Sequence, residues 1–185
     1  SSISQMQSDI AAFQTAGGVA SNDVALWDGA AWHGLPGLSS LSGYVNGLTL
    51  HDGALHACGA GWPGSNTVAR WDAGAQTWSV LPSTASEVLG IASVGGSLYA
   101  YGGFQSLNVV QQPTRLARWT GTTWASATDS TGLLVNFSST IQAGAVYDGR
   151  LVVGGSSVGY LTAASGGSLR SCLLGYDGTE WMTFA

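Results

Sequence analysis

The 185-residue sequence predicts an all-β fold built from repeated four-stranded antiparallel sheets. Two phrases that alternate along the chain, and the turn residues inside them, predict it. The first phrase, VALWDGAAW at 24–32, returns at 68–78, at 116–124 and in weaker form at 173–181. The second consists of two apolar runs around a short turn, at 44–59, 87–103 and 141–155. Repetition at this scale is typical of repeat architectures.

Each copy of the second phrase predicts a β-hairpin. Its apolar runs flank Asp52-Gly53, Gly95-Gly96 and Asp148-Gly149. Asp-Gly and Gly-Gly between β-type runs favour a type I′ turn, in which both central residues need a positive φ.

The tryptophan phrase predicts a second hairpin, since VALW and AAWHGL flank the turn that begins at Asp28-Gly29. One unit is therefore two hairpins, or four short strands. The closing tryptophans Trp32, Trp78 and Trp124 are 46 residues apart, and a longer interval to Trp181 indicates an insertion at 156–170. A four-stranded unit of this length is the period of a β-propeller blade.

The chain divides into blades at about 1–38, 41–82, 85–128 and 134–185, which together form a single domain. The first blade is degenerate, because only its outer hairpin at 24–38 is clear, and residues 3–13 are either a worn inner strand pair or a short amphipathic helix. Either the chain is a four-bladed propeller, or it has about three and a half blades that a partner chain completes, since unpaired strand edges invite pairing.

The repeated tryptophans and aspartates are predicted to be structural. The tryptophans recur at two blade positions and are expected to fill the space between neighbouring sheets: Trp27, Trp71 and Trp119 at one, and Trp32, Trp78, Trp124 and Trp181 at the other. Asp28, Asp72 and Asp177 are expected to accept backbone N–H bonds within their own turns. Thr120 replaces aspartate in the third copy, which argues against a catalytic carboxylate there.

Charge is scarce in this sequence, at 8% of residues, and lysine is absent. The net charge is −5, and the five arginines are scattered, so a nucleic-acid partner is not expected. No apolar run approaches the roughly 20 residues of a membrane span. A surface of Ser, Thr, Gly, Gln and Asn suits an extracellular or cell-surface protein, covered by glycan or packed against its own copies.

Two cysteines are too few for a disulfide scaffold. Cys58 and Cys172 lie in apolar, strand-like contexts, so they are either two buried thiols or one long-range disulfide. Asn136, in Asn-Phe-Ser, is a possible N-glycosylation site.

The motifs GGSLYAYGGF at 95–104, DGRLVVGG at 148–155 and VARWD at 68–72 resemble a known family. They are similar to secreted, kelch-like β-propeller repeats of bacterial cell-surface and adhesion proteins, and to fungal polarity-marker ectodomains. The resemblance covers nearly the whole chain. It implies a propeller fold, and it carries no catalytic residues over to this sequence.

No catalytic or metal-binding constellation is visible, and no cofactor is expected. The three histidines lack metal-ligand spacing. His56 aligns with Tyr99 of the next unit and is expected to pack, while His51, before a turn, is expected to be exposed. A non-enzymatic structural or adhesive module, which self-associates into a surface layer or filament, is therefore the leading hypothesis.

Two alternatives remain open. The first is a carbohydrate-binding lectin that uses the loop aromatics Trp62, Phe104 and Tyr160, although Trp62 and Phe104 could instead cap the core between blades. The second is a hydrolase or oxidase on a propeller scaffold.

Overall fold

Antiparallel hairpins make up the part of the chain that the computed structural model describes. That part comprises residues 14–21, 23–35, 44–60, 68–82, 88–104, 115–128, 130, 136–137, 139–162 and 168–184, with the backbone alone for 136, 156–162 and 168–171. The strands are β1 Thr15–Ala16, β2 Val19–Ala20, β3 Ala25–Trp27, β4 Trp32–Gly34, β5 Tyr44–His51, β6 Ala54–Ala60, β7 Val68–Asp72, β8 Thr77–Val80, β9 Val88–Val94, β10 Ser97–Gly102, β11 Leu116–Trp119, β12 Trp124–Ser126, β13 Asn136–Phe137, β14 Ile141–Tyr147, β15 Arg150–Thr162, β16 Ser168–Tyr176 and β17 Trp181–Thr183.

Three sheets follow one another along the chain. We call β5–β8 sheet II, β9–β12 sheet III, and β13–β17 sheet IV. Sheets II and III are simple meanders of four strands, and in sheet IV both β13 and β14 pair with the long strand β15. Before them stand the hairpins β1–β2 and β3–β4. The predicted all-β class, with four-stranded antiparallel sheets, is confirmed for the described residues, which contain no helix.

The inner hairpins turn as their sequences require. Asp52-Gly53, Gly95-Gly96 and Asp148-Gly149 all have positive φ, between 48° and 73°. A β-bulge recurs in the first strand of each inner pair, where the register shifts at Val45/Gly47 in sheet II, opposite Tyr101/Gly102 in sheet III, and at Ile141/Ala143 in sheet IV.

Each sheet has a leading face, directed toward the preceding unit, and a trailing face, directed toward the following one. In sheet II the leading face carries Leu48 paired with Ala57, and the trailing face carries Thr49 paired with His56. Paired residues share a face, and successive residues alternate between faces.

The sheets stack in sequence order, trailing face onto leading face. Cys58 of sheet II is buried with Ile91 and Leu98 of sheet III. Tyr99 and Tyr101 of sheet III are buried with neighbours from sheet IV. Val24 of the first outer hairpin is buried against the leading face of sheet II.

Within the described strands, the two ends of this stack share no extensive interface. Strand β5 packs on β9, and β9 packs on β14. Among the described strands, no comparable interface joins β14 to β5, so closure into a ring is not shown.

The Tyr101 ring packs closely between Gly90 of sheet III and Gly144 of sheet IV. A Cβ atom built on Gly90 would lie 2.2 Å from Cζ of the Tyr101 ring, and one built on Gly144 would lie 2.7 Å from it. The Tyr101 hydroxyl donates a hydrogen bond of 3.1 Å to the Gly144 carbonyl. The two glycines therefore provide the space that this ring occupies.

The repeated tryptophans do not all fill the space between sheets. Trp124 is 1% exposed, and Trp71, Trp78, Trp119 and Trp181 are half-buried. Trp27 and Trp32, in contrast, are 49% and 40% exposed, so the expectation of burial is wrong for this pair. The two rings contact each other, and Gly17 in the β1–β2 turn lies against the Trp32 ring, but this short hairpin leaves both rings largely exposed.

Candidate functional site

A polar cleft of about 590 Å³ lies between sheets II and III, at the end where their inner hairpins turn. Sheet II contributes side chains of its trailing face, from β5, β6 and β7. Sheet III contributes the start of β10 and the turn after β11. Its volume falls within the usual range for small-molecule sites.

Two histidines line the sheet II side of the cleft. Their rings meet edge-on, with centroids 5.6 Å apart. His56 is 3% exposed, and its Nδ1 lies 3.2 Å from the carbonyl oxygen of Ala54. Burial lowers the pKa of His56, so the ring is neutral at pH 7. Because a carbonyl only accepts, Nδ1 carries the proton, and Nε2 is left as a hydrogen-bond acceptor.

His51 is fixed by two neighbours. Its Nδ1 lies 3.0 Å from the hydroxyl of Ser93 in sheet III, and its Nε2 lies 3.5 Å from a carboxylate oxygen of Asp52. Its side chain is 9% exposed, so the expectation of an exposed histidine is wrong. The reason is that His51 lies on the trailing face, which sheet III covers.

Arg70 supplies positive charge to the same side. It is the cross-strand partner of His56 on β7, and it is exposed. Among the described residues, none of the ion pairs involves Arg70. Asp52 stands at the rim with an 80% exposed side chain. Arg118 also lines the cleft, but its charge acts on Tyr99 and Tyr176 of the neighbouring joint.

Trp119 lines the sheet III side. Its half-buried ring packs against Trp124, with centroids 5.2 Å apart. The cleft thus combines a cation, an aromatic surface, a neutral histidine and the hydroxyls of Ser97 and Thr120.

The equivalent space between sheets III and IV is filled. Tyr99 takes the place of His56, and Tyr176 takes the place of Trp119. Both tyrosines are 1% exposed, and their rings meet edge-on at 5.6 Å. The Tyr176 hydroxyl donates a hydrogen bond of 3.0 Å to the Gly178 carbonyl. The cleft between sheets II and III is therefore open because His56 is smaller than Tyr99, which occupies the equivalent position at the interface between sheets III and IV.

The aromatic residues that the sequence singles out for ligand binding lie elsewhere. Phe104 is 0% exposed in the core shared by sheets II and III, so its ring is not accessible to a ligand and occupies the core-capping position. Trp62 lies outside the described residues. The backbone of Tyr160 lies in β15, paired with Asn136, and the side chains of both lie outside the described part.

The two cysteines are free thiols. Cys58 is buried between sheets II and III, and burial raises its pKa to about 12. Cys172 is exposed on β16 of sheet IV. The long-range disulfide is therefore not formed in this structure, because the two cysteines lie in different sheets, and only one of the two thiols is buried.

The aspartates of the tryptophan phrase act within their turns. One carboxylate oxygen of Asp28 accepts bonds of 2.8 Å from the N–H groups of Ala30 and Ala31, and the other lies 2.6 Å from His33 Nε2. These contacts, led by the bond from Ala31, lower the pKa of Asp28 to about 2. Asp72 and Asp177 accept two turn N–H bonds each, and Thr120 substitutes with its hydroxyl.

The described residues contain no group of three or more His, Cys, Asp or Glu side chains that could hold a metal ion. Within the same ranges, no helix has the length and apolar character that a membrane crossing requires.

Sequence reasoning missed the cleft, although a signal for it is present. Aligning the inner hairpins at their turns places His51 and His56 at the positions of Val94 and Tyr99. Two histidines at neighbouring core positions, where the next unit has valine and tyrosine, indicate a polar cleft between sheets II and III.

No protein-family model matches this chain, and no curated protein matches it either.

Proposed function

We propose that this protein is a non-enzymatic, extracellular structural module that assembles from its own copies. In this proposal, the trailing face of sheet IV in one copy packs on the leading face of sheet II in the next. The observation that carries it is that the β5 part of the leading face of sheet II and the trailing face of sheet IV are both exposed, although the equivalent surfaces between sheets II, III and IV are buried.

On the leading face of sheet II, residues are exposed whose equivalents in sheet III are buried. Leu48 and Ile91 occupy equivalent positions on the first inner strands of sheets II and III. Ile91 is covered by sheet II and is 7% exposed, whereas Leu48 is 48% exposed. Leu50, on the same face, is 70% exposed. Adjacent exposed leucines on one face are typical of an interaction surface.

The trailing face of sheet IV shows the same contrast. Tyr147 occupies the position of Val94, which sheet IV covers in sheet III. Val94 is 4% exposed, and Tyr147 is 70% exposed. Leu173, on the same face, is 41% exposed. A tyrosine with small neighbours, Ala143 and Ala145, offers the kind of flat surface that a leading face covers within the chain.

A contact between two different faces is heterologous. Such contacts build a closed ring when the rotation closes and a filament when it does not. The competing occupant is the chain's own first segment, which would complete a four-bladed propeller within one copy. These two possibilities differ in oligomeric state.

The composition supports an extracellular setting for such a module. With 8% charged residues, the surface offers few groups that would repel another copy. A metal-dependent oxidase or hydrolase gains no support from the described side chains, which contain no group of three or more His, Cys, Asp or Glu that could hold a metal ion.

The experiment uses one variant for each face. Leu48→Glu places a negative charge on the leading face, and Tyr147→Glu places one on the trailing face, so the two altered faces also repel each other. Ala75→Glu, in the exposed β7–β8 turn and outside the strands that form the two faces, is the matched control. Light scattering coupled to size-exclusion chromatography should show wild type and the control as oligomers, and both face variants as monomers. Loss of a central interface residue weakens association roughly 30-fold or more.

Mixing the two face variants tests the pairing itself. Each retains one intact face, so an equimolar mixture should form dimers and nothing larger. A mixture that stays monomeric would contradict this pairing. Wild type that is monomeric across a wide concentration series would overturn the proposal and favour closure within one chain.

A further inference from the structure

We propose that the cleft between sheets II and III binds an acidic saccharide, through a carboxylate-bearing sugar residue of the uronic or sialic acid class. The site lies within one copy of the chain, so the inference is independent of whether the copies assemble.

The first indication of a ligand is that the interface between sheets II and III contains an open cleft, whereas the equivalent space between sheets III and IV is filled. In the joint between sheets III and IV, Tyr99 and Tyr176 are 1% exposed and fill the space. In the joint between sheets II and III, the same space is a cleft of about 590 Å³ with polar walls. His56 at the Tyr99 position leaves the cleft open, although a tyrosine there would add apolar contact.

The charge of the cleft selects an anionic group. The chain as a whole has a net charge of −5, yet this cleft is lined by two arginines and one carboxylate. Arg70 is exposed and takes part in none of the described ion pairs, and its charge also acts on Asp72 of the same strand. A guanidinium binds a carboxylate through two parallel N–H bonds, which gives both affinity and orientation.

The remaining walls suit a sugar ring better than a bare anion. The half-buried indole of Trp119 is an apolar surface on the sheet opposite Arg70. Neutral His56 has an acceptor nitrogen for a hydroxyl group, and Ser97 and Thr120 bring hydroxyls. A small inorganic anion would use only the guanidinium and leave most of this volume empty. A carboxylated pyranose uses the cation and the aromatic face together.

Asp52 limits the orientation of the ligand. Its carboxylate lies at the rim beside His51 and would repel a second negative charge there. The ligand carboxylate therefore lies toward Arg70, and the neutral hydroxyl edge lies toward the two histidines.

The test measures binding of glucuronic acid, glucose and inorganic phosphate to the full chain by titration calorimetry and by the change in tryptophan fluorescence. We expect glucuronic acid to bind, and glucose and phosphate to bind at least about tenfold more weakly. Arg70→Gln should weaken glucuronic acid binding roughly tenfold or more, because a charge-assisted pair is lost. Arg150→Gln, which removes a charge paired with Asp148 outside the cleft, should leave binding unchanged.

His56→Tyr provides a second, structural test. It copies Tyr99 of the next joint, so the protein should remain folded with an equal or higher melting temperature, while binding is abolished because the cleft is filled. Equal affinity for phosphate and glucuronic acid would overturn the saccharide assignment and leave a simple anion site. Unchanged glucuronic acid binding in folded His56→Tyr and Arg70→Gln would exclude the cleft altogether.

Discussion

Replacing Gly90 with alanine should destabilise the protein through a single clash at the joint between sheets III and IV. Gly90 lies across the strand pair from Tyr101. A Cβ atom there would lie 2.2 Å from both Cζ and the hydroxyl oxygen of the Tyr101 ring. The ring cannot retreat toward sheet IV, because Gly144 already lies against its other side and accepts its hydroxyl hydrogen bond.

The magnitude follows from two contributions. Overpacking a well-packed core costs about 1–3 kcal/mol. Displacing the ring also breaks the hydrogen bond to Gly144, for about another 1 kcal/mol. We therefore expect the free energy of unfolding to fall by about 3 kcal/mol, and the melting temperature by roughly 6–12 °C in a chain of this size.

The assay is urea unfolding and thermal melting monitored by tryptophan fluorescence. Gly47→Ala is the matched control, because Gly47 is the equivalent glycine of sheet II. Its added Cβ would meet the Cys58 sulfur at 3.3 Å, so we expect a loss of less than about 1 kcal/mol. Tyr101→Cys copies the residue that sheet II has at this position. Removing so large a buried ring costs about 3 kcal/mol or more.

The decisive measurement is the double variant. In the Tyr101→Cys background, Gly90→Ala should cost less than about 1 kcal/mol, because the ring that it would strike is gone. A loss equal to that in wild type would show that the clash is not the cause. A fully stable single variant would refute the packing argument itself.

Three further predictions concern the two cysteines, the Asp28 carboxylate and the repeated tryptophans. A thiol reagent should modify Cys172 but not Cys58 in the native protein, because burial raises the Cys58 pKa to about 12, and both should react in denaturant. Asp28 should titrate at about 2 by carboxyl-carbon NMR, so the stability from its turn bonds is present above the unfolded pKa near 4 and lost as pH falls through 2; a normal titration would contradict this. Trp124→Ala should lower stability by about 3–5 kcal/mol, and Trp32→Ala by much less, since their side chains are 1% and 40% exposed; equal losses would count against the burial argument.

The hairpins of the fold could be predicted from short stretches of sequence. In each hairpin, a few residues indicate the turn type and which side chains share a face of the sheet. Asp52-Gly53 and Asp148-Gly149 fix the turn geometry, and alternation fixes which side chains share a face. What could not be predicted is the arrangement at the ends of the stack. The sequence around Trp27 resembles that around Trp119, but a four-stranded sheet precedes Trp119, whereas only the two-stranded hairpin β1–β2 precedes Trp27 among the described residues.

The candidate site could not be predicted from a single motif, because its walls come from two consecutive sheets. His56 reads as a packing residue when it is compared with Tyr99 alone, and it is indeed buried. Its position in the wall of the cleft becomes visible only when sheet III is placed opposite and the smaller ring leaves a volume beside Arg70. Phe104 illustrates the reverse case, since an aromatic after a strand can equally well close a core.

The recurring bulge has a consequence for how such a chain can change in length. It falls at the same place in all three inner pairs, next to Asn46, Leu89 and Gln142, although these side chains share little chemistry. Bulges increase local strand twist, so one extra residue at this place adds twist to all three inner pairs, whichever side chain it carries. Duplication of a unit would therefore preserve this backbone feature, but the new interface would also need matching side chains, because Tyr101 requires glycine at the position of Gly144, where sheet III has Ile91.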